Sequence, residues 1–566
     1  MGSELGVTAS SEEQIDLSPV SIWWACWACI WTAAVALGVA FLIARRNSPI
    51  LRIRGLGLSL SAIALLHIYW ASCQFGTMIG TIMPGDVQYW VMGTYLPCGI
   101  ALFHASNTRF LHVSKLQKRY IHGSRLLDSP SDWRPSRGLV GRFRRLSYNT
   151  KILITVGVGM FAQIFLTILM FLISRKWHSS WGIPGTEVHG TIMEQRTAQG
   201  TGWEWWPGVF WQFFWSWIIA PIVLWKSRNI HDTHGWRVQT VGCAIANLHA
   251  TPMWLIALYV PGMAPVNAVW IPPQWICLSI MFIEIFTVFL PCWEVWRCQT
   301  LRQETLDAIT NWEAKNKGFN SESKSLNSST STMVESMLSG WKSMSDSVKS
   351  TNSNRASILT MTALEYVLER NPSPLQEFAA LHDFSGENIA FLTSVAEWKS
   401  SLPKLVRDST AATPDANVKE LTRERFNRAL HIYAEFISVH HAEFPVNISS
   451  HDLKQLEAIF EAPTRILYGE KREVDLVSPF GAPGFPEPPS PTSSESSQKP
   501  MRSSVSEIRD RVQYWGDVPE AFGANVFDAA EESIKYLVLT NTWAKFVRNR
   551  RASTDSGRTL QGVEIV

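Results

Sequence analysis

Long apolar runs separated by short polar stretches fill the first 300 residues, and shorter helical-period patterns in a polar background fill the rest. A helix needs ~20 mostly apolar residues to cross ~30 Å of hydrocarbon. Runs near 22–44, 56–75, 87–106, 152–174, 206–225, 238–260 and 272–295 meet that length, which predicts seven spans. The third is the weakest, being interrupted by Gly93, Pro97 and Gly99, and the fifth leans on Trp205, Trp206, Trp211, Trp215 and Trp217, which also suit an interfacial belt, so a six-span count stays open. Pro97, Pro221, Pro252 and Pro291 fall inside these runs and are expected to kink them. From residue 358 the period is that of helices: Ile358, Met361, Leu364 and Leu368 before a stop at Asn371-Pro372, then Ile389, Leu392 and Ala396, then Phe426, Leu430, Tyr433 and Ile437. Further helices are read around Leu453 to Phe460, Phe527 to Leu537, and Trp543 to Val547, and no strand-like alternation interrupts them. The expected fold class is all-α, a seven-helix transmembrane bundle followed by a soluble all-helical bundle.

Charge adds an orientation. The N-terminal tail, 1–21, carries Glu4, Glu12, Glu13 and Asp16 but no basic residue, whereas the next loop has Arg45, Arg46, Arg52 and Arg54. Basic loops stay cytoplasmic, so the tail is expected outside. The loop after the third run is the most basic (Lys115, Lys118, Arg119, Arg125, Arg134, Arg137, Arg142, Arg144, Arg145, Lys151), the one after the fifth has Lys226, Arg228 and Arg237, and 261–271 has none. Seven crossings would place residue 296 onward in the cytosol. Arg175 and Lys176, closing the fourth run, dissent from this pattern. No cleavable signal peptide is read, because the first apolar run is too long and lacks a positive leader, and Gly6 stands where myristoylation wants Ser or Thr.

Between the halves, 293–317 reads either as a juxtamembrane amphipathic helix (296–317) or as a continuation of the last span. Residues 318–356, rich in Ser, Asn and Lys, read as a flexible linker, and 478–503, rich in Pro and Ser, as a solvated insertion between helices; 551–566 is a tail. The composition, 46% hydrophobic with 17% charged residues and a net charge of +3, gives no basic footprint for nucleic acid. All 8 cysteines lie in or beside the apolar runs, which shows neither a secreted disulfide framework nor a zinc pattern, and no cofactor or metal is expected. Juxtamembrane Cys292 and Cys298 are candidates for palmitoylation.

Within the spans Glu284 is the lone carboxylate deep in an apolar run, accompanied by His67, Gln163, Asn247 and His249. Ionisable groups in hydrocarbon face a cavity or a partner. Glu284 is therefore a candidate for ligand binding, for proton sensing or for pairing with His249, with a purely structural interhelical hydrogen bond as the alternative.

Three blocks of the second half carry a family resemblance. Phe384-Ser385-Gly386-Glu387-Asn388-Ile389, with Phe391, is similar to F-S-x-E-N-[LI]. Ile432-Tyr433-Ala434-Glu435-Phe436-Ile437 followed by Val446-Asn447-Ile448-Ser449-Ser450 resembles I-Y-x-x-[FY]-[IV] and [IV]-N-[IL]-D-S. Val526-Phe527-Asp528-Ala529-Ala530, Leu537 and Asn541-Thr542-Trp543-Ala544-Lys545-Phe546 resemble F-D-x-A-Q and L-x-x-x-D-[ST]-[YF]-x-[RK]-F. In this order and spacing, 357–550 resembles an RGS domain, the all-helical module that accelerates GTP hydrolysis by heterotrimeric Gα subunits. The resemblance implies Gα contacts from Ser385, Glu387, Asn388, Asn447, Leu537, Asn541, Thr542 and Lys545, at one end of the bundle. It departs from the family at Asn541, usually Asp, and at Lys545, usually Arg, which changes charge and bidentate reach. Capping of helices and turns is the alternative role for Asn388 and Asn447.

With the membrane half, the architecture resembles the seven-span RGS proteins of plants and fungi; Asn107-Thr108-Arg109 after the third run and the lack of a partner for Cys98 are unlike rhodopsin-class receptors. What this implies is a regulator of G-protein signalling at the plasma membrane or an internal membrane. It would have no chemistry of its own, its partners would be a Gα subunit and the lipid bilayer, and an unidentified small ligand could act on the membrane half. The alternatives are an RGS-like scaffold without activity on Gα and a Gα-regulated solute carrier.

Overall fold

The computed structural model describes residues 5–8, 11–122, 143, 146, 148–178, 180–317, 359–401, 416–469 and 513–550. The linker 318–356, the Pro/Ser insertion and the C-terminal tail lie outside the described residues, as does most of the basic loop after the third run. The described chain is helical, and its one β-type pairing is the isolated bridge between Ser174 and Ile183. Backbone contacts divide it into two units, the described residues of 1–113 and 135–295 forming the first and those of 114–134, 296–474 and 482–566 the second.

Helices Pro19–Ala44, Leu56–Ile79, Thr150–Ile173, Ile192–Ser227, Trp236–Tyr259 and Pro273–Asp307 are long and apolar enough to cross a membrane, six in number among the described residues. The chain is a multi-pass membrane protein. The third expected span, 87–106, lies within the helix Gly85–Gln117, 33 residues long with Pro97 inside it, whose polar residues dilute it below the apolarity of the others. The lipid-like surface is visible in exposure. Leu37 is 73% exposed, Phe161 72% and Phe210 69%; in water such side chains would mark binding patches, whereas in hydrocarbon they cost nothing. The inward side of Pro19–Ala44 is a narrow stripe, Ala28, Val35 and Leu42 at seven-residue intervals, against Ala62, Leu66 and Cys73 of Leu56–Ile79.

Local sequence sets the helix ends. Ser18 caps the first helix, its hydroxyl accepting from the Ser21 N–H, and Pro19 occupies the first turn where no N–H is needed. Pro221 and Pro291 each follow a π turn, Phe214–Ile219 and Ile285–Phe289, which accommodates the lost donor and the ring of a proline within the helix. After the second π turn the helix continues without a break from Leu290 to Lys317, so of the two readings of 293–317 the structure has the continuation of the last span and not a separate amphipathic helix at 296–317.

The second unit is built from Met361–Arg370, Ser373–Phe378, Gly386–Ser400, Ala416–Ile432, Ser450–Tyr468 and Asp528–Leu537. Thr360 and Ser449 cap two of these through their hydroxyls. The core is aromatic: Phe460 stacks on Phe527 and on Phe426, with ring centres 5.6 Å apart in each pair, and Phe391, Phe436 and Trp543 are fully enclosed. Each such ring contributes roughly 1.5–3 kcal/mol by burial. Three π turns, Ala379–Asp383, Tyr433–Ile437 and Val538–Trp543, end or extend its helices. The 3₁₀ turn Lys118–His122 belongs to this unit too, with Tyr120 4% exposed in the same core.

Candidate functional site

The three π turns of the second unit lie at or beside the sequence blocks singled out above, and such turns recur at functional sites. The first ends at Asp383. Phe384 follows with φ 49°, the sole non-glycine residue with positive φ among the described residues, and it is buried to 1%. That left-handed step reverses the chain, so that the Ser385 N–H reaches the Ala379 carbonyl at 2.9 Å and helix Gly386–Ser400 can start.

Asp383, 1% exposed, gathers the side chains of two blocks. Its Oδ2 accepts from the Ser385 hydroxyl at 2.8 Å and from the Thr542 hydroxyl at 2.7 Å, its Oδ1 accepts from the Lys545 ammonium at 2.7 Å, and the two hydroxyls lie 3.2 Å apart. Charge-assisted bonds of this kind are the stronger class. Ser385, Thr542 and Lys545 are thus brought together by a residue the motifs did not point to: Asp383 is a single acidic residue one position ahead of the first block, and nothing in its sequence spacing marks it.

Glu387 is 8% exposed and accepts from the Gln117 carboxamide at 2.9 Å. Asn388 is 6% exposed, and its Oδ1 has no hydrogen-bond partner, so this oxygen caps no helix. Asn541 accepts from the Cys298 thiol at 3.3 Å. Leu537 packs half-buried on the aromatic core. Asn447 stands exposed ahead of helix Ser450–Tyr468, whose cap is Ser449, and it is outside the Asp383 network. Burial raises the Glu435 carboxyl of the second block to about 7, with His431 Nδ1 at 3.4 Å from its Oε2.

Two further polar clusters occupy the first unit. Glu284 is fully buried; its Oε1 lies 2.7 Å from His67 Nδ1, and Trp31 Nε1 donates to its Oε2. His67 Nε2 meets the Thr32 hydroxyl at 3.0 Å, and the imidazole stacks on Trp70 at 5.3 Å. The partner of Glu284 is therefore His67, from a neighbouring helix, and not His249, whose Nε2 has no hydrogen bond. Asn247 accepts from the Ser279 hydroxyl. Cys292 is half-buried and faces the Gly38 carbonyl at 3.5 Å.

The second cluster contains the dissenting basic pair. Lys176 donates to Glu204 at 2.9 Å and to the Thr201 carbonyl at 2.8 Å, and Arg175 donates to Glu187 at 2.8 Å and to the Gly182 carbonyl at 3.1 Å. Both charges are paired with acids from the segment that follows them, Glu187 and Glu204. Glu204 also lines a narrow cavity with Tyr69, Gln163, Gln212 and Trp254.

Compared with protein-family models, with curated proteins and with solved structures, the chain gave no match.

Proposed function

We propose that this multi-pass membrane protein regulates heterotrimeric G-protein signalling, and that its second unit carries an RGS-type module which accelerates GTP hydrolysis by a Gα subunit. The observation that carries the reading is the meeting of the first and third blocks: Ser385 and Thr542, 157 residues apart, share the carboxylate of Asp383 with Lys545. The residue types suit the task. A Gα subunit already supplies an Arg in cis, a water-orienting Gln and Mg²⁺, and what it lacks is rigidity in its switch segments. An Asn side chain offers one acceptor and two donors, enough to hold two backbone segments at once. Fixing the switches near transition-state geometry is catalysis by positioning, in which each ~1.4 kcal/mol of differential binding is worth tenfold in rate. The module supplies no nucleophile.

The orientation in this reading keeps the N-terminus outside and 296 onward in the cytosol. Its support is parity: with a rise of ~1.5 Å per residue, the 33 residues of Gly85–Gln117 extend ~50 Å, ample for a crossing despite their modest apolarity. Counted with the six apolar helices it gives seven crossings and leaves every strongly basic loop on one side.

The test is single-turnover GTP hydrolysis by a cognate Gα, with and without the protein. Acceleration is expected, together with binding to Gα in its GDP–aluminium fluoride form. Replacing Asn388 and Asn447 together with Ala should remove most of the acceleration while the melting temperature stays nearly constant, because neither side chain serves as a helix cap. No acceleration and no binding by the wild type would favour the scaffold reading, to which the inward-turned Lys545 lends some support.

A further inference from the structure

We infer that the second unit is self-occluded: the turn 114–122 sits on the face assigned above to Gα, and must leave before Gα can bind. This rests on the G-protein reading and names the regulation of that same face. The contact is specific. Gln117, 0% exposed, directs both ends of its carboxamide at the start of helix Gly386–Ser400, Oε1 accepting the Gly386 N–H at 3.0 Å and Nε2 donating to Glu387 Oε2 at 2.9 Å. A helix start leaves orphan N–H groups that a flanking side chain ordinarily satisfies. Here Ser385, in the cap position, makes no capping bond and turns its hydroxyl to Asp383, and Gln117 supplies an acceptor from 269 residues upstream. Gly386 makes room for it, since a β-carbon there would stand 3.0 Å from Gln117 Oε1 and 3.0 Å from the Ala380 β-carbon.

The same contact carries signs of being reversible. Tyr120 enters the aromatic core, its ring centre 6.5 Å from that of Phe436, yet its hydroxyl is buried with no hydrogen-bond partner. Asn388 Oδ1 and Glu435 Oε1 are likewise buried and unpartnered. Orphaned polar atoms oppose the buried state. Apolar burial and two good bonds thus hold the turn in place while the orphaned Tyr120 hydroxyl works against it. Meanwhile Ser385, Glu387 and Asn388 are each 8% exposed or less, so a protein partner cannot reach them in this conformation. Residues 114–117 are the last turn of the helix Gly85–Gln117, so a rearrangement of that helix is a direct route to releasing the turn.

The experiment uses the full-length protein in lipid nanodiscs and compares wild type with Gln117→Glu, which sets a second carboxylate beside Glu387 without changing shape, and with Tyr120→Ala. Binding to Gα in its GDP–aluminium fluoride form and single-turnover hydrolysis are measured alongside amide hydrogen exchange at 386–388. A site that is open about 10% of the time binds about tenfold more weakly than its intrinsic affinity, so release should strengthen binding up to about tenfold, with faster exchange at 386–388. Faster exchange with hydrolysis and binding equal to an active wild type would overturn the occlusion and leave the G-protein reading standing. Unchanged exchange in both variants would overturn it by showing that the turn does not hold this helix start. A Gα that ignores wild type and both variants, despite faster exchange, would sink the G-protein reading and the occlusion with it.

Discussion

Glu284 and Asp383 are both carboxylates closed off from solvent, one in each unit, and they are held in different ways. Glu284 sits within a helix and is met by an imidazole and an indole N–H, neither of them a fixed cation. Asp383 sits at the end of a π turn and is met by a hydroxyl from just past the chain reversal and by a hydroxyl and an ammonium from the third block. Removing a partner from a buried charge pair leaves an uncompensated ion, whereas removing one neutral donor leaves an orphan that can partly find another. Asp383 is therefore the structural keystone of its unit, and Glu284 is a pairing whose loss the surrounding bundle can absorb.

The sharpest way to break this contrast is Asp383→Ala, which strands the Lys545 ammonium, 11% exposed, and two hydroxyls. It should cost about 3–5 kcal/mol, read by pulse proteolysis of the detergent-solubilised protein under denaturant. Glu435 offers a third carboxyl, with burial and no Lys or Arg ion pair. Its value of about 7 lies above the 4.5 of the free group, so the folded state holds a proton that the unfolded chain gives up. Stability should then fall as pH rises from about 4.5 to about 7, by at most about 3 kcal/mol, and level off above. Glu435→Gln should flatten that slope, and His431, 3.4 Å away, is the neighbour whose own titration must be controlled for with His431→Gln. The smallest effect is expected for Glu284→Gln, about 1 kcal/mol, with a coupling to His67→Phe of similar size in a double-mutant cycle. A loss as large as that at Asp383 would erase the distinction between the two carboxylates.

The apolar helices were legible because hydrocarbon imposes a length and a composition on each crossing by itself. The helix through 87–106 was legible in place but not in extent: its last turns bury Asn107 and Gln117 against protein, and burial of polar residues against a distant segment has no local signature. The same reason hides Asp383, two of whose three partners come from 159 and 162 residues away. The polar residues of the spans were all visible, His67 among them, but choosing His67 over His249 for Glu284 requires knowing that Leu56–Ile79 packs on Pro273–Glu284. The ion pairs of Arg175 with Glu187 and of Lys176 with Glu204 were not legible, because the partners stand 12 and 28 residues downstream and no local pattern joins them.

Phe384 limits how this region can drift in sequence. Glycine would suit its backbone but empty the space of a buried ring, and a β-branched residue would fit neither the handedness nor the volume. Asn541 can vary as long as a donor or acceptor survives, and position 545 as long as a cation still meets Asp383, whereas position 384 answers to two demands that few amino acids meet together. In a set of homologues, variation should therefore accumulate along the rim of the module and stop at this one reversal.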